Sequence, residues 1–374
     1  MAFTLVHTAD WQIGKVFGRF EAEKAAVLRH ARLEAATRIA DLARSNGAGH
    51  VLVAGDVFDS ETLPRTLVLQ ALQALAAQSG ITWHLLPGNH DPARPGGVWD
   101  TVAVAGVPTN VRLHLRPEPA EIAPGIYVLP APLAAKATSN DPTAWMATAP
   151  TPAHATRIGL AHGSVQGFGE EGDAAVYIDP AITRRAGLAY LALGDWHGTK
   201  RIAERIWYSG TPEPDGFGQS DPGNALVVRL DGTNVDVTSH AIAKFTWAER
   251  RIDISRDHAS SAIETEVNAL GVRSFTHLLL LRLEGFLTLA EADASEARFD
   301  QLRARLFDLT LDRRGLSLQA SASDVESIAD PALRSVATRL QTMAESPGGE
   351  GHIALLALKR LMALSGSGSA DQNP

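Results

Sequence analysis

Clusters of aspartate, asparagine and histidine in the first half of the chain carry side chains that bind hard divalent cations. They are Asp10-Trp11-Gln12, Gly55-Asp56-Val57-Phe58-Asp59, Gly88-Asn89-His90-Asp91, His162-Gly163 and Gly194-Asp195-Trp196-His197-Gly198. Each follows a segment predicted as a strand, and α/β proteins build their sites in loops at the carboxyl ends of strands. A single such cluster is more often an ordinary turn or helix cap. Together they favour one shared polar site, because buried carboxylates are costly unless paired or metal-bound.

The chemistry that fits these residue types is two-metal phosphoryl transfer. Two cations about 3.5–4 Å apart can clamp a phosphoryl group and generate hydroxide at neutral pH. We predict that Asp56 bridges the ions, that one ion takes Asp10 and His197 with Gln12 nearby, and that the other takes Asn89, His162 and Asp195. His90 follows a ligand directly, so it could act on the leaving oxygen as a general acid or stabilise developing charge. Asp91 could orient His90 by a hydrogen bond.

The segments that must position these clusters alternate between strands and helices. Strands are predicted at 3–7, 51–54 and 81–86, and helices at 21–45 and 64–78. This alternation predicts an α/β layered core. Further strands are predicted at 111–115, 126–129, 158–161, 190–193, 206–208, 225–230 and 235–239, where helices become few, so the sheet is expected to become mixed or antiparallel.

The last third of the chain predicts a second, smaller unit after a boundary near residues 242–247. We expect a strand at 251–254, a helix at 260–270, a strand at 276–283 and helices at 289–309, 325–345 and 352–364. The predicted domains are a catalytic domain at 1–243, an α/β cap-like domain at 244–320 and C-terminal helices at 321–364. These helices could dock on a partner's coiled coil or be buried in their own domain. The Ser- and Gly-rich tail at 365–374 is predicted to be disordered.

Composition limits the classes of protein that fit. The chain has 374 residues, of which 45% are hydrophobic, no cysteine and a net charge of -8. The missing cysteines exclude disulfides and thiolate metal sites, and the sequence shows neither a secretory signal nor a membrane span, which predicts a cytoplasmic protein. A protein that held DNA alone would usually be basic, so a DNA substrate would require a local basic patch or a partner.

The order of these motifs resembles that of the calcineurin-like metallophosphoesterase superfamily. Residues 5–14 (LVHTADWQIG) and 190–197 (YLALGDWH) resemble its SbcD-type DNA repair exonuclease branch. The resemblance implies a four-layer αββα sandwich with a smaller C-terminal α/β cap domain, a two-manganese site, nuclease action on DNA, a homodimer and an SMC-like ATPase partner with a long coiled coil. It also implies metal binding at Asp10, Asp56, Asn89, His162 and His197, with catalysis at His90.

Two positions depart from the pattern of that family. Gln12 stands where the family usually has a histidine ligand, and Asp195 where it usually has the first histidine of a GHxH motif. A neutral amide is expected to weaken one metal position, whereas a carboxylate should strengthen the other. With imidazole supplied by His162 and His197, the site should prefer Mn²⁺ or Mg²⁺ over Zn²⁺. Alternatively, Gln12 and Asp195 lie outside the coordination sphere and water completes it.

The substrate class stays open at this stage. Lys15, Arg19, Lys200 and Arg201 lie just beyond the clusters and could grip backbone phosphates, or could be solvated surface charges. Trp11 and Trp196 could stack on bases or pack under the loops. A nuclease acting on DNA is the leading interpretation. A phosphodiesterase for a nucleotide or cyclic nucleotide fits the acidic charge, and a non-catalytic scaffold for an ATPase would explain the departures at Gln12 and Asp195 but not the retained His90 and Asp56.

Overall fold

A computed structural model describes residues 2–166, 175–232, 234–254, 264–265, 268–269, 274–319, 325–326, 328–345 and 348–367. The chain divides into two compact units, Met1–Thr246 and Trp247–Pro374. No helix among the described residues is long and apolar enough to cross a membrane.

The first unit contains fourteen strands, four α-helices and a short 3-10 helix at Ala144–Thr148 among its described residues. In chain order the strands are β1 (Phe3–Thr8), β2 (His50–Val53), β3 (Thr82–Leu85), β4 (Val111–Leu113), β5 (Ala120–Ala123), β6 (Ile126–Ala131), β7 (Thr156–His162), β8 (Ser164–Val165), β9 (Tyr177–Ile178), β10 (Leu188–Gly194), β11 (Lys200–Ala203), β12 (Ile206–Tyr208), β13 (Asn224–Asp231) and β14 (Asn234–Ala241). The helices are α1 (Ala22–Ser45), α2 (Arg65–Ala76), α3 (Val98–Ala105) and α4 (Ile182–Arg185).

Two six-stranded mixed sheets form the centre of this unit. The first has the strand order β14-β13-β1-β2-β3-β4, with β1 to β4 parallel and β13 and β14 antiparallel. The second has the order β11-β12-β10-β7-β6-β5, in which β12, β10, β7 and β6 are parallel. The mixed character agrees with the expectation from the sequence.

Three apolar clusters separate the layers. Neighbouring residues of β1 point into different clusters, because side chains alternate across a strand: Val6 packs against α1 residues such as Ile39, whereas Leu5 faces the second sheet, near Leu160. A third cluster on the far side of the second sheet contains Met146 and Ile182, from the 3-10 helix and α4. The arrangement of helices, sheet, sheet and helices confirms the predicted four-layer αββα sandwich.

The second unit, described by itself, has a three-stranded sheet of β15 (Thr246–Asp253), β16 (His277–Thr288) and β17 (Asp308–Gln319) in that order. Its helices are α5 (Leu289–Arg303), α6 (Pro331–Ala344) and α7 (Gly349–Ser367). Strands β16 and β17 pair in parallel, and α5 connects them along the chain. Phe299 and Leu302 of α5 are buried against the sheet.

The predicted helix at 289–309 was wrong at its carboxyl end. The helix ends at Arg303, and the strand β17 begins at Asp308. In residues 308–311, apolar Leu309 and Leu311 alternate with Asp308 and Thr310, a period of two that fits a strand. Leu309 and Leu311 therefore belong to β17 and not to a last turn of α5, and the predicted helix is six residues too long.

The predicted helix at 325–345 is also interrupted. Helix α6 begins at Pro331, and the Asp330 side chain accepts hydrogen bonds from the backbone of Ala332 and Leu333. An aspartate cap followed by proline at the first helical position is a start signal. Helix α7 extends to Ser367, so residues 365–367 of the predicted disordered tail are helical. Residues 368–374 and most of the predicted helix at 260–270 lie outside the described residues.

Candidate metal centre

The loops that follow β1 and β2 are held together by backbone hydrogen bonds. The Asp10 N–H donates to the carbonyl of Gly55 at 3.1 Å, and the Gln12 N–H donates to the carbonyl of Asp56 at 2.9 Å. Asp10, Gln12 and Asp56 all have positive φ, at 55°, 44° and 52°. Left-handed backbone is unfavourable for these residues, so the surrounding structure must enforce it. The consequence is that both carboxylates turn toward one point beyond the strand ends.

Two glycines allow the loops to approach the site closely. Gly55 has φ 90°, and a Cβ there would lie 2.2 Å from Nδ1 of His162. A Cβ on Gly88 would lie 2.1 Å from Oδ1 of Asp56. No larger side chain fits at either position without moving a candidate ligand.

His162 lies at the centre of the group. It is fully buried at the end of β7, and its Nδ1 lies 2.8 Å from the carbonyl oxygen of Ala54. Its Nε2 lies 3.1 Å from Oδ1 of Asn89, 3.5 Å from Oδ1 of Asp56 and 3.7 Å from Oδ1 of Asp195. Ligand atoms of Asp10, Asp56 and His162 lie within 4.8 Å of one another. Residues from both sheets therefore converge on one polar group.

The loop after β10 completes the group. The Asp195 N–H donates to both carboxylate oxygens of Asp10, at 3.2 and 3.3 Å, and its Oδ2 accepts from the Ser164 hydroxyl at 2.8 Å. Nε2 of His197 lies 3.3 Å from the amide nitrogen of Gln12. The structure thus brings all seven predicted metal-site residues into one connected cluster.

The pKa values of Asp10 and His162 are both raised, for different physical reasons. Burial raises the pKa of Asp10 to about 6, and the carboxylates of Asp56 and Asp195 add to the rise, while His162 and His197 oppose it. Burial alone would lower the pKa of His162, but the carboxylates of Asp56, Asp10 and Asp195 outweigh it and raise the pKa to about 9. The group therefore has an excess of negative charge that attracts cations.

Residues 3–169 match the sequence model of the calcineurin-like phosphoesterase family. This part of the chain is similar to calcineurin-like phosphoesterases. The match includes the clusters from Asp10 to His162, whereas Asp195 and His197 lie beyond it. A crystal structure of TT1561 of Thermus thermophilus aligns with 64% of this chain and 99% of that chain, at 11% identity and a TM-score of 0.40. Comparison with curated proteins gives no match.

The donor set of this site fits a divalent metal ion on one side of Asp56. The set consists of the carboxylates of Asp10, Asp56 and Asp195, the amide oxygen of Asn89 and the imidazole of His162. Hard divalent ions such as Mn²⁺ and Mg²⁺ take oxygen donors in this way, and imidazole is compatible with Mn²⁺. The family thus indicates metal-dependent phosphoester hydrolysis, and the identity of the metal stays a prediction.

His90 is positioned by a different aspartate from the one predicted. Its Nδ1 lies 3.1 Å from the carbonyl oxygen of Asp59 and 3.9 Å from the Asp59 carboxylate. Asp91 is instead fully buried, and its two oxygens accept from the backbone N–H groups of Gly88 and Phe58, at 2.6 and 3.0 Å. The expected hydrogen bond from Asp91 to His90 was therefore wrong: Asp91 joins two of the loops, because its oxygens are already used by backbone donors.

Asp215, which no sequence pattern indicated, contacts the candidate ligand His197. Oδ1 of Asp215 lies 3.3 Å from Nδ1 of His197, and its other oxygen pairs with Lys15 and, at 3.4 Å, with Arg32. Despite its burial, the pairs with His197 and Arg32 hold the pKa of Asp215 well below its usual value. Asp215 lies in a loop rich in proline and glycine that follows no cluster pattern, so only the folded structure brings it to the site.

Lys15 and Arg19, two of the predicted phosphate-gripping cations, contact other side chains of the first unit. Lys15 pairs with Asp215, and Arg19 is exposed with its guanidinium 4.7 Å and 4.8 Å from the ring centroids of Phe20 and Phe217. Arg19 therefore combines exposure with cation–π contacts that restrict its movement.

The other two predicted cations, Lys200 and Arg201, are exposed on β11, where Arg201 lies 5.8 Å from the ring centroid of Trp207. Of the two tryptophans in the motifs, Trp11 is buried, donates to the Thr8 hydroxyl and packs edge-on against Trp83. Packing under the loops is thus the observed role of Trp11. Trp196 is 40% exposed.

Proposed function

We propose that this chain is a metal-dependent phosphodiesterase that hydrolyses DNA and acts in DNA repair. The observation that carries the proposal is the convergence of Asp10, Asp56 and His162, whose ligand atoms lie within 4.8 Å of one another at the strand ends of two sheets. Bound divalent cations would neutralise the phosphate and activate water. The predicted cofactor is Mn²⁺, with Mg²⁺ as the alternative and Zn²⁺ less favoured.

The protein's own contribution to hydrolysis is positioning and proton transfer. Hydrolysis forms a bond from water oxygen to phosphorus, breaks the ester bond and protonates the leaving oxygen. The His90 side chain is 45% exposed at the edge of the centre, and the contact of its Nδ1 with the Asp59 carbonyl leaves Nε2 available. His90 can therefore deliver the proton or stabilise the charge on the leaving oxygen.

Three features support DNA as the substrate. The motifs resemble those of SbcD-type exonucleases, exposed Lys200 and Arg201 follow the last metal cluster on β11, and the exposed Trp196 ring lies within that cluster. Cations that contact phosphates and rings that stack on bases are the two elements of single-strand binding. The net charge of -8 favours a partner that supplies further attraction to the DNA phosphates. We propose that this partner is an SMC-like coiled-coil ATPase. We further propose that the chain acts as a cytoplasmic homodimer.

The test is Mn²⁺-dependent cleavage of end-labelled single- and double-stranded DNA by the purified chain, beside His90→Ala and the surface control His154→Ala. We expect cleavage by the wild type and by His154→Ala, and loss of at least about 100-fold in His90→Ala. Cleavage that His90→Ala leaves intact would contradict the role of His90.

A small phosphodiester is the second candidate, favoured by the internal pairing of Lys15 with Asp215, which removes one predicted contact to a long phosphate backbone. Hydrolysis of bis(p-nitrophenyl) phosphate and cyclic nucleotides in parallel decides between the two. Rapid turnover of these small diesters without any DNA cleavage, with or without the ATPase, would overturn the DNA proposal in favour of the second candidate.

A further inference from the structure

The two sides of the Asp56 carboxylate differ in what they offer a cation. On one side, Nε2 of His162 has the oxygens of Asn89, Asp56 and Asp195 at 3.1, 3.5 and 3.7 Å. Ligands around a single ion are separated by such distances, because each bond to a divalent metal is about 2.0–2.3 Å long. This side is already arranged as a coordination sphere.

On the other side, the side chain of Gln12 directs its amide nitrogen, which cannot bind a metal, toward His197. Its amide oxygen accepts a hydrogen bond from Nζ of Lys15 at 3.0 Å, and its amide nitrogen lies 3.3 Å from Nε2 of His197. An amide coordinates metals through oxygen, and its nitrogen is only a donor. Lys15 fixes this orientation, because the reversed amide would place its NH₂ group against an ammonium that also only donates.

His197 is consequently engaged at both ring nitrogens. Nδ1 faces Asp215 at 3.3 Å and the amide nitrogen of Gln219 at 2.9 Å, and Nε2 faces the amide nitrogen of Gln12. A second ion bound to Nε2 would have to displace the Gln12 amide, and with it the hydrogen bond to Lys15.

The charges on this side also oppose a second ion. Lys15 and Arg32 both pair with the same carboxylate, that of Asp215, which is 4% exposed. Both cations therefore lie close to the position beside His197, on the far side of Asp215 from the ring. Like charges repel more strongly when they are partly removed from water, and a divalent ion added here would face both Lys15 and Arg32.

We propose that the chain binds one divalent cation tightly, at Asp10, Asp56, Asn89, His162 and Asp195, and that Lys15 acting through Gln12 closes the second position beside His197. The inference rests on the metal-dependent site proposed above and revises its expected two ions to one. Lys15 is a specificity-determining residue for metal stoichiometry, and it supplies a fixed positive charge where a two-metal centre has an ion.

The test measures Mn²⁺ binding to the full chain without substrate. Calorimetry counts the bound ions, and electron paramagnetic resonance shows whether they are isolated or coupled. We expect one tight ion per chain and the six-line spectrum of an isolated Mn²⁺ ion in the wild type. The double variant Lys15→Met/Gln12→His removes the blocking cation and restores an imidazole, so it should bind two ions and show the broadened spectrum of a coupled pair. The control is Lys136→Met, at an exposed lysine outside the centre, which should bind one ion.

Two tight ions in the wild type would overturn the proposal, whatever the variants do. One ion in both the wild type and a folded double variant would overturn the role of Lys15 and Gln12. Circular dichroism checks that the double variant folds, and if it does not, the single variant Gln12→His is measured against the same two outcomes. Because the readout needs no substrate, a failure to cleave DNA leaves this result intact.

Discussion

At the scale of single residues, Asp215 fixes the ring orientation of His197, which lies beside the candidate metal centre. Its carboxylate accepts from Nδ1, which leaves the lone pair of Nε2 directed toward the centre. Asp215 is held in turn by Lys15 and Arg32, so the imidazole is braced by a buried ion-pair network. Carboxylates that orient ligand histidines commonly contribute about 10- to 100-fold in metal affinity or activity.

We predict that Asp215→Asn lowers the rate of phosphodiester hydrolysis by about 10- to 100-fold at saturating Mn²⁺. The loss should appear mainly in kcat, because the tight ion at Asp56 and His162 is unchanged. Hydrolysis of bis(p-nitrophenyl) phosphate measures it, with Asp236→Asn on the exposed face of β14 as the control. An unchanged kcat in a folded Asp215→Asn chain would show that His197 needs no such support.

A second residue-scale prediction compares two glycines with the same backbone requirement. Gly55 and Gly80 have φ of 90° and 74°, but a Cβ at Gly80 meets nothing within 4 Å, whereas one at Gly55 meets His162 at 2.2 Å. Gly80→Ala should therefore lower the free energy of unfolding by about 1 kcal/mol, the effect of a left-handed conformation alone. Gly55→Ala should lower it further and weaken Mn²⁺ binding by at least about 10-fold.

Urea unfolding and calorimetric titration of both variants measure these effects. Equal Mn²⁺ affinity in the two variants would mean that the close approach of Gly55 does not position His162.

At the scale of elements, β2, β3 and the residue that follows β4 carry a row of three histidines away from the metal centre. Nδ1 of His50 lies 3.1 Å from Nε2 of His84, and Nδ1 of His84 lies 3.0 Å from Nε2 of His114. They line a cleft of about 580 Å³ together with Arg112 and residues of β5. Burial lowers the pKa of His114 to about 4 and that of His84 well below its usual value, with the neighbouring imidazoles adding to the second effect.

This row should make the stability of the first unit sensitive to acid. For His114, the unfolded chain takes up the proton near pH 6.5 and the folded chain only near pH 4. The stability that this neutral imidazole contributes is therefore present above pH 6.5 and is lost as the pH falls below it. We predict that the free energy of unfolding, measured in urea, is lower at about pH 5 than at about pH 7.5. His114 by itself should account for about 2 kcal/mol of this difference.

The variant His84→Leu should reduce this difference between the two pH values, even if it lowers stability at both. His154→Gln, at an exposed loop position, is the control and should leave the difference unchanged. A pH dependence that is the same in His84→Leu as in the wild type would assign the acid sensitivity to other groups.

The elements that the sequence predicted well are those whose pattern is local. Strands β1, β2 and β3 with their polar loops, and the helix α1, can be read from apolar runs and from the clusters that follow them. The predicted helix at 289–309 was wrong at its carboxyl end because the alternating pattern that begins β17 at Asp308 is short compared with the helical pattern before it. The contact of Asp59 with His90 and that of Asp215 with His197 could not be predicted, because each depends on loop conformations set by residues far along the chain.

At the scale of the whole molecule, the candidate centre belongs entirely to the first unit. Every predicted ligand, the bracing residue Asp215 and the three clusters of the sandwich lie within Met1–Thr246. The last residues of this unit are tied back to it by Glu213, whose carboxylate is paired with Arg38 and accepts from the backbone N–H groups of Lys244 and Phe245. The core and the site thus need no residue beyond Thr246.

We therefore predict that a chain shortened to residues 1–246 folds cooperatively and keeps its Mn²⁺ affinity within about threefold of the full chain, because its ligands and packing are complete. Hydrolysis of bis(p-nitrophenyl) phosphate should be retained to the same degree, since this substrate is small enough to need only the centre. Thermal unfolding, calorimetry and initial rates measure the three properties. A shortened chain that folds but binds Mn²⁺ much more weakly would show that the second unit contributes to the centre, and the rate on DNA relative to the small diester would then identify what that unit does for the substrate.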